Sequence, residues 1–252
     1  MLRQRIDGLK RRWRCLKYGI VYFRARDYNI PNEIRVNGRF KKMSFDRKNQ
    51  AAFNYEFTEI CINDCYELSQ LKRRMRNVTQ IVDVGANQGL FSLAARQVFP
   101  RAVISCYEPN EHLKSILISN TVELDTHCYF EAVTKHSSKV KLQFKDNDLE
   151  TVSVECAEGT ITGRSLQDVI KRCGGHIDIL KLDCEGAEWE LLEATEAWES
   201  VRSITMEYHL WAKPGMTVEK LCNLIEGKGF TIIKVIPLSS TFGMLTAIKD
   251  GV

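Results

Sequence analysis

From Gln80 onward the chain alternates short apolar runs with amphipathic ones, and its last two apolar runs are separated only by Leu238 to Thr241. Strands are expected at 80–84, 102–107, 127–133, 177–183, 202–208, 230–237 and 242–248, and helices at 89–98, 110–121, 164–172, 187–197 and 217–228. The first strands read as continuous apolar stretches, as when both faces of a parallel sheet are covered. A parallel crossover needs a dozen residues or more, so the last two strands must pair antiparallel. The expectation is an α/β fold: a mostly parallel seven-stranded sheet with a C-terminal antiparallel hairpin. Segments 139–144 and 151–154 read as a hairpin inserted into this pattern.

Residues 1–76 read differently, as a basic N-terminal extension preceding a domain over 77–252. Leu2, Ile6, Leu9, Trp13, Leu16 and Ile20 recur at steps of four and three, which draws one apolar stripe along a helix. Arg3, Arg5, Lys10, Arg11, Arg12, Arg14 and Lys17 occupy its other faces. Asn37-Gly38 lies between alternating stretches, a hairpin signal because both residues tolerate positive φ. Residues 48–76 read as mostly helical. Residues 1–48 carry 15 Lys/Arg against 4 Asp/Glu, whereas the remainder carries 21 against 28. The basic character is therefore regional, which argues against a general nucleic-acid binder. The helix suits three partners: its own domain, a second copy of the chain, or an anionic membrane. No apolar run approaches the roughly 18 residues of a membrane span. Nine scattered cysteines behind an Arg-rich start point to reduced thiols in the cytoplasm, with membrane contact at most peripheral.

The strongest local signal is Asp83-Val-Gly-Ala-Asn-Gln-Gly89, where a strand enters a glycine-containing loop and a helix follows. The spacing is not G-x-G-x-x-G, and a carboxylate at the strand end repels phosphate, so a dinucleotide fits poorly. The next strand ends at Glu108, 19 residues beyond Gly89, where an acid can accept both ribose hydroxyls of an adenosine. Together these residues ask for an adenosine ligand without phosphates, and S-adenosylmethionine meets that description.

A second cluster lies at the carboxyl ends of two later strands. The segment 177–188 delivers Asp183 and Glu185 to the sheet edge, and 203–209 delivers Glu207 and His209, whose two-residue offset points both the same way. One task for them is acid–base work, with His209 taking a hydroxyl proton while a carboxylate orients the ring. The other is holding a divalent cation through Asp183, Glu185 or Glu207; hard oxygen ligands suit magnesium or manganese.

Taken in order, Asp83 to Gly89, Glu108-Pro109, Leu180-Lys-Leu-Asp-Cys-Glu-Gly-Ala-Glu188 and Glu207-Tyr-His209 resemble the FkbM-type family of S-adenosylmethionine-dependent methyltransferases. The likeness spans roughly residues 55–248, with Cys184 standing where the family usually has an aliphatic residue. It implies a class I, Rossmann-like methyltransferase fold and O-methylation of a hydroxyl on a sugar, glycan or polyketide-like small molecule. Carried over, Asp83, Gly85, Asn87 and Gly89 would line the methionine and ribose moieties and Glu108 the ribose. Asp183, Glu185, Glu207 and His209 would lie near the transferred methyl. Amino-group methylation is less favoured, because no Asn/Asp-Pro-Pro-aromatic turn follows the fourth strand. Two other classes stand as alternatives: a nicotinamide-dependent oxidoreductase, and a non-catalytic binding module that uses the basic N-terminus on a membrane, glycan or RNA.

Overall fold

A computed structural model describes residues 2–21, 30–144, 151–156, 158–194, 196–249 and 251. The extension comprises α1 (Leu2–Lys17), the hairpin β1 (Glu33–Val36) and β2 (Arg39–Lys42), α2 (Gln50–Phe57) running into a π-helical turn (Thr58–Asn63), and α3 (Leu68–Arg74). The Asn37-Gly38 turn has the expected positive φ at both residues, 47° and 82°. Then come β3 (Gln80–Val84), α4 (Leu90–Val98), β4 (Val103–Tyr107), α5 (Lys114–Thr121), β5 (Thr126–Tyr129), β6 (Ala132–Thr134), β7 (Ser138–Phe144), β8 (Thr151–Glu155) and β9 (Ile161–Ser165). The chain continues through α6 (Leu166–Arg172), β10 (Ile179–Leu182), α7 (Glu188–Glu193), β11 (Ser203–His209), α8 (Val218–Glu226), β12 (Phe230–Pro237) and β13 (Phe242–Lys249).

Seven strands form the central sheet in the order β12-β13-β11-β10-β3-β4-β5. The pairs β10–β11, β10–β3, β3–β4 and β4–β5 are parallel, and β13 runs antiparallel between β11 and β12. This is the expected sheet and hairpin, with the last strand inserted beside β11. Pleating sends Ile81, Ile104 and Ile179 to one face and Val82, Val84, Leu180 and Leu182 to the other. The first face packs on α4 and on the extension, whose Tyr18, Phe53 and Phe57 enter the same apolar cluster. The second face is covered from α6, α7 and α8. The extension thus shares its core with the α/β domain.

Two expectations need correction. The strand expected at 127–133 is two: β5 ends at Tyr129, and β6 starts a second, four-stranded sheet ordered β6-β9-β7-β8. At that break Glu131 leaves the ladder and pairs with Arg164 (2.9 Å) and Arg172 (3.0 Å). The inserted hairpin is therefore part of a small sheet, and its turn lies outside the described residues. The helix expected at 187–197 stops at Glu193 and gives way to a 3-10 segment, Glu196–Ser200. The apolar stripe is divided: Ile20, just past α1, is buried, and α1 itself is held by other residues. It packs through Cys15 and Tyr18, and Arg14 donates to the carbonyls of Ile62 and Asn63 and to Asp64 Oδ2 (2.8 Å), while Leu9, Trp13 and Leu16 face solvent.

One buried carboxylate staples the amino ends of the central strands. Asp178, fully buried, accepts from the backbone N–H groups of Thr79 and Gln80, from the Thr79 hydroxyl and from Arg202. Burial pushes its pKa up, but those donors outweigh burial and hold it below the ordinary carboxylate value. Asp178→Ala strands the two N–H groups and Arg202, and is expected to cost about 3 kcal/mol in urea unfolding at neutral pH. Because the native pKa is depressed, the wild-type advantage is complete above the unfolded value of about 3.9 and is lost as pH falls through the native one. A variant as stable as wild type at neutral pH would show that Asp178 is no staple.

Candidate active site

The site begins where β3 and β10 end side by side. Lys181 and Asp83 are register partners. Lys181 Nζ lies 3.3 Å from Asp83 Oδ1 and 3.5 Å from Asp183 Oδ2, and it donates to the Gly85 carbonyl at 2.6 Å. Burial alone would lower the pKa of this ammonium; Asp83 and Asp183 reverse that and raise it, so Lys181 is a fixed positive charge. The other oxygen of Asp83 accepts from Ser92 Oγ at 2.7 Å. Gly85, at φ +74°, passes so close to β10 that a Cβ would sit 1.8 Å from the Asp183 carbonyl oxygen. The glycine is needed here for the approach of two strand tips.

Beyond these tips an open cleft is lined by Gly85, Asn87, Gln88, Glu108, Asn110, Ala132, Val133, Asp183, Cys184 and Glu185, joined by Asp46 and Asn49 of the extension. Glu108 Oε2 accepts from the Asn87 N–H and Oε1 from the Asn110 N–H, both at 2.8 Å. Burial raises its pKa, and the two N–H groups pull it back. Each carboxylate oxygen keeps acceptor capacity for one of two vicinal hydroxyls. Gln88 supplies a buried acceptor oxygen with no protein partner. No basic residue is among the described lining residues, so the wall fits a nucleoside without phosphates. Two predicted ligand residues are not on this wall. Asp83 is fully buried beneath it, and Gly89 packs against α5, where its Cβ would meet Thr121 Cγ2 at 2.9 Å.

The acidic cluster assembles past Glu185. The side-chain ligand atoms of Asp183, Glu185 and His209 all lie within 4.8 Å of one another, and Glu207 Oε1 is 3.9 Å from His209 Nε2. Glu207 is outside that set of mutually close ligand atoms. The carboxylate that orients the imidazole is Glu188, a residue the family motif contains but to which sequence reasoning gave no role. Fully buried, its Oε1 faces His209 Nδ1 at 2.9 Å and accepts from the His209 backbone N–H, while Oε2 accepts from the Gly186 N–H. Glu185 is held at φ +53° and Gly186 at +104°, a tight turn that lets Glu185 and Glu188 approach one imidazole from two sides. Burial pulls the His209 pKa down, but Glu188, Glu185 and Asp183 push it up to about 9. Burial and the Asp183 charge carry Glu207 to about 8 against the opposing pull of His209.

The extension reaches this cluster. Tyr66 donates its hydroxyl to Asp183 Oδ2 at 2.7 Å and stacks edge-on against Phe91. Glu56 on α2 is brought to a pKa of about 7 by burial and by Asp183. Asn120 on α5 ties the two parts together, donating to the carbonyls of Ser44 and Gln88 and accepting from the Ser44 N–H, each at 2.8 Å. Sequence reasoning missed Tyr66 and Asn120 because Asp183 lies 117 positions from the one and Ser44 76 from the other.

The strand order and a phosphate-free nucleoside cleft beside an acidic cluster define a class I S-adenosylmethionine-dependent methyltransferase. Residues 83–232 match the methyltransferase FkbM domain, and the chain belongs to that family. It is 29% identical to methyltransferase sdnD of Sordaria araneosa over 247 residues, covering 82% of this chain and 91% of that protein. It is 22% identical to methyltransferase 1 of Beauveria bassiana strain ARSEF 2860, covering 69% of this chain and 79% of that one. Among solved structures, magnesium protoporphyrin IX methyltransferase (ChlM) from Synechocystis PCC 6803 with bound SAM aligns at TM-score 0.48 and 9% identity, over 82% of this chain and 86% of that chain. Family membership sets aside the oxidoreductase and the non-catalytic module. Among the described residues no helix is long and apolar enough to cross a membrane.

In protein freed of divalent metal, the His209 imidazole is expected to titrate near pH 9 by NMR. Glu188→Gln should bring it back toward the ordinary histidine value of about 6.5. Because the native pKa is raised, the stabilisation from this pair is complete below the unfolded value and fades as pH rises through about 9. A wild-type imidazole already titrating near 6.5 would show that Glu188 does not hold the proton in place.

Proposed function

We propose that the protein transfers the methyl group of S-adenosylmethionine to a hydroxyl of a sugar, glycan or polyketide-like small molecule, with Glu207 accepting the hydroxyl proton. The observation that carries this reading is the Glu188–His209–Glu207 array beside Asp183 and Glu185, at the end of the cleft that Glu108 begins. The bound cofactor supplies an electrophilic methyl carbon on a sulfonium. Glu108 and Asn87 would hold the ribose, and Asp183, fixed by Lys181 and Tyr66, would supply negative charge to complement the sulfonium. His209, kept cationic by Glu188, is a hydrogen-bond donor rather than a base near neutrality, and it orients the acceptor oxygen or Glu207. A carboxylate raised to about 8 is a stronger base than an ordinary one and matches a proton acceptor working near neutral pH.

A second reading has a specific observation behind it. Asp183, Glu185 and His209 present one ligand atom each within a span that suits one divalent cation, magnesium or manganese, and the Nδ1 of His209 is already engaged by Glu188. A cation there would lower the acceptor hydroxyl's pKa directly.

Glu207→Gln should lower kcat by about 10²- to 10⁴-fold while leaving the affinity for S-adenosylhomocysteine unchanged. Glu108→Ala should do the reverse, weakening cofactor affinity more than it slows chemistry. Thermal melting should rise with S-adenosylmethionine and S-adenosylhomocysteine and not with NAD. An amine methylated in preference to a hydroxyl across an acceptor panel, or full activity in Glu207→Gln, would overturn the proposal. Activity abolished by chelator and restored by manganese would favour the second reading.

A further inference from the structure

An exposed apolar patch lies on the outer side of α1, none of whose described residues lines the cleft. Leu9, Trp13 and Leu16 are 64%, 58% and 54% exposed. At 100° per residue they occupy one narrow stripe, with Arg12 on one flank and Lys17 on the other. Lys17 Nζ sits 3.6 Å from the centre of the Trp13 ring. Phe40 of β2, 69% exposed, lies against the turn at Gly19 that follows the helix and extends the apolar surface.

This face is held outward by the fold. Arg14 on the opposite side bonds the carbonyls of Ile62 and Asn63 and the Asp64 carboxylate, and Cys15 and Tyr18 are buried beside it. Arg35 donates to the carbonyls of Leu16 and Lys17 and secures the end of the helix. The helix therefore cannot roll its stripe into the core without losing those contacts. It is pre-formed, so ordering it costs nothing when a partner arrives.

We propose that α1 docks the enzyme on an anionic lipid bilayer, with Leu9, Trp13 and Leu16 entering the headgroup–acyl boundary and the flanking cations facing the phosphates. Charge complementarity selects this occupant: residues 1–48 carry 15 basic against 4 acidic residues, while the rest of the chain is net acidic and would be repelled by the same surface. A wide-faced association is thereby aimed through the extension alone. A second copy fits less well. Two such helices packed about a twofold axis would bring Arg12 and Lys17 against their own counterparts, and three exposed side chains fall far short of the roughly 800 Å² per partner of a stable interface.

The test is co-sedimentation of the full chain with vesicles of phosphatidylcholine alone and of 70:30 phosphatidylcholine:phosphatidylserine. Binding is expected to the anionic vesicles, with at least a tenfold weaker partition to the neutral ones and in high salt. Leu9→Ser/Trp13→Ser/Leu16→Ser should lose binding at least tenfold, and Arg12→Glu/Lys17→Glu should lose the preference for phosphatidylserine. None of the five side chains lines the cleft, so melting temperature and S-adenosylhomocysteine affinity serve as controls and should hold. Absence of vesicle binding, or binding undiminished in the triple variant, overturns the proposal. So does a concentration-dependent dimer in sedimentation velocity that the triple variant dissolves, which would assign the face to a second copy.

Discussion

The buried ammonium of Lys181 is the interaction on which the site rests. Asp83 and Asp183 come to the adjoining ends of β3 and β10, close enough that two carboxylates out of water would repel each other strongly. Lys181 stands between them and is itself kept charged by them. Its bond to the Gly85 carbonyl fixes the loop that opens the cleft, and Gly85 has no Cβ to strike the Asp183 carbonyl on the neighbouring tip. The strand, loop and helix N-terminus are therefore a three-body arrangement in this chain: the acid of one strand, the amine of its neighbour and a glycine between their tips. Removing the amine alone would leave both acids uncompensated, a far larger disturbance than removing one surface ion pair.

The family domain does not supply the whole site. Residues 83–232 contain the cleft floor and the acidic cluster, but Asp46 and Asn49 on the cleft wall, Glu56 near Asp183, and the Tyr66 hydroxyl on Asp183 all come from upstream. Those residues are held by the same core that covers one face of the sheet, since Phe53, Phe57 and Leu71 pack with Ile81, Leu93 and Ile104. Catalytic geometry and extension packing are thus one problem. The π-helical turn at Thr58–Asn63 and the left-handed Asp64 and Glu67 that follow are where the extension bends to bring Tyr66 over the tip of β10.

Much of this was legible in the sequence, for identifiable reasons. The sheet could be read because parallel strands covered on both faces are uninterrupted apolar runs, and because a four-residue link leaves no choice but an antiparallel pair. Glu108, Asp183, Glu185, Glu207 and His209 were legible because strand ends in this topology share one edge. What could not be read depends on packing. The bonds of Asp83 to Ser92 and Lys181 and the contact of Gly89 with Thr121 are set by packing that motif position does not contain. The break after Tyr129 is decided by Glu131 meeting Arg164 and Arg172, 33 and 41 residues away, which no local pattern contains. Periodicity drew the apolar stripe of α1 without saying what covers it, so the sequence left three partners open for that face.

The charge state of the cluster ties structure to the proposed chemistry. Glu207 and Glu56 are raised by burial and by Asp183 beyond what ordinary carboxylates show, so the protein's own groups gather more negative potential than they can keep ionised. Lys181 and His209 offset part of it, but both are committed: Lys181 to the strand tips and His209 to Glu188. A cationic group arriving at the end of the cleft near Glu185 would favour the ionised form of Glu207, and so would prepare the base at the moment the electrophile is in place. The same acids would hold an uncharged thioether less well than a sulfonium, since the attraction between opposite charges disappears once the methyl has left. On this reading the acidic cluster does more than accept a proton, because it distinguishes the loaded cofactor from its spent form by charge alone.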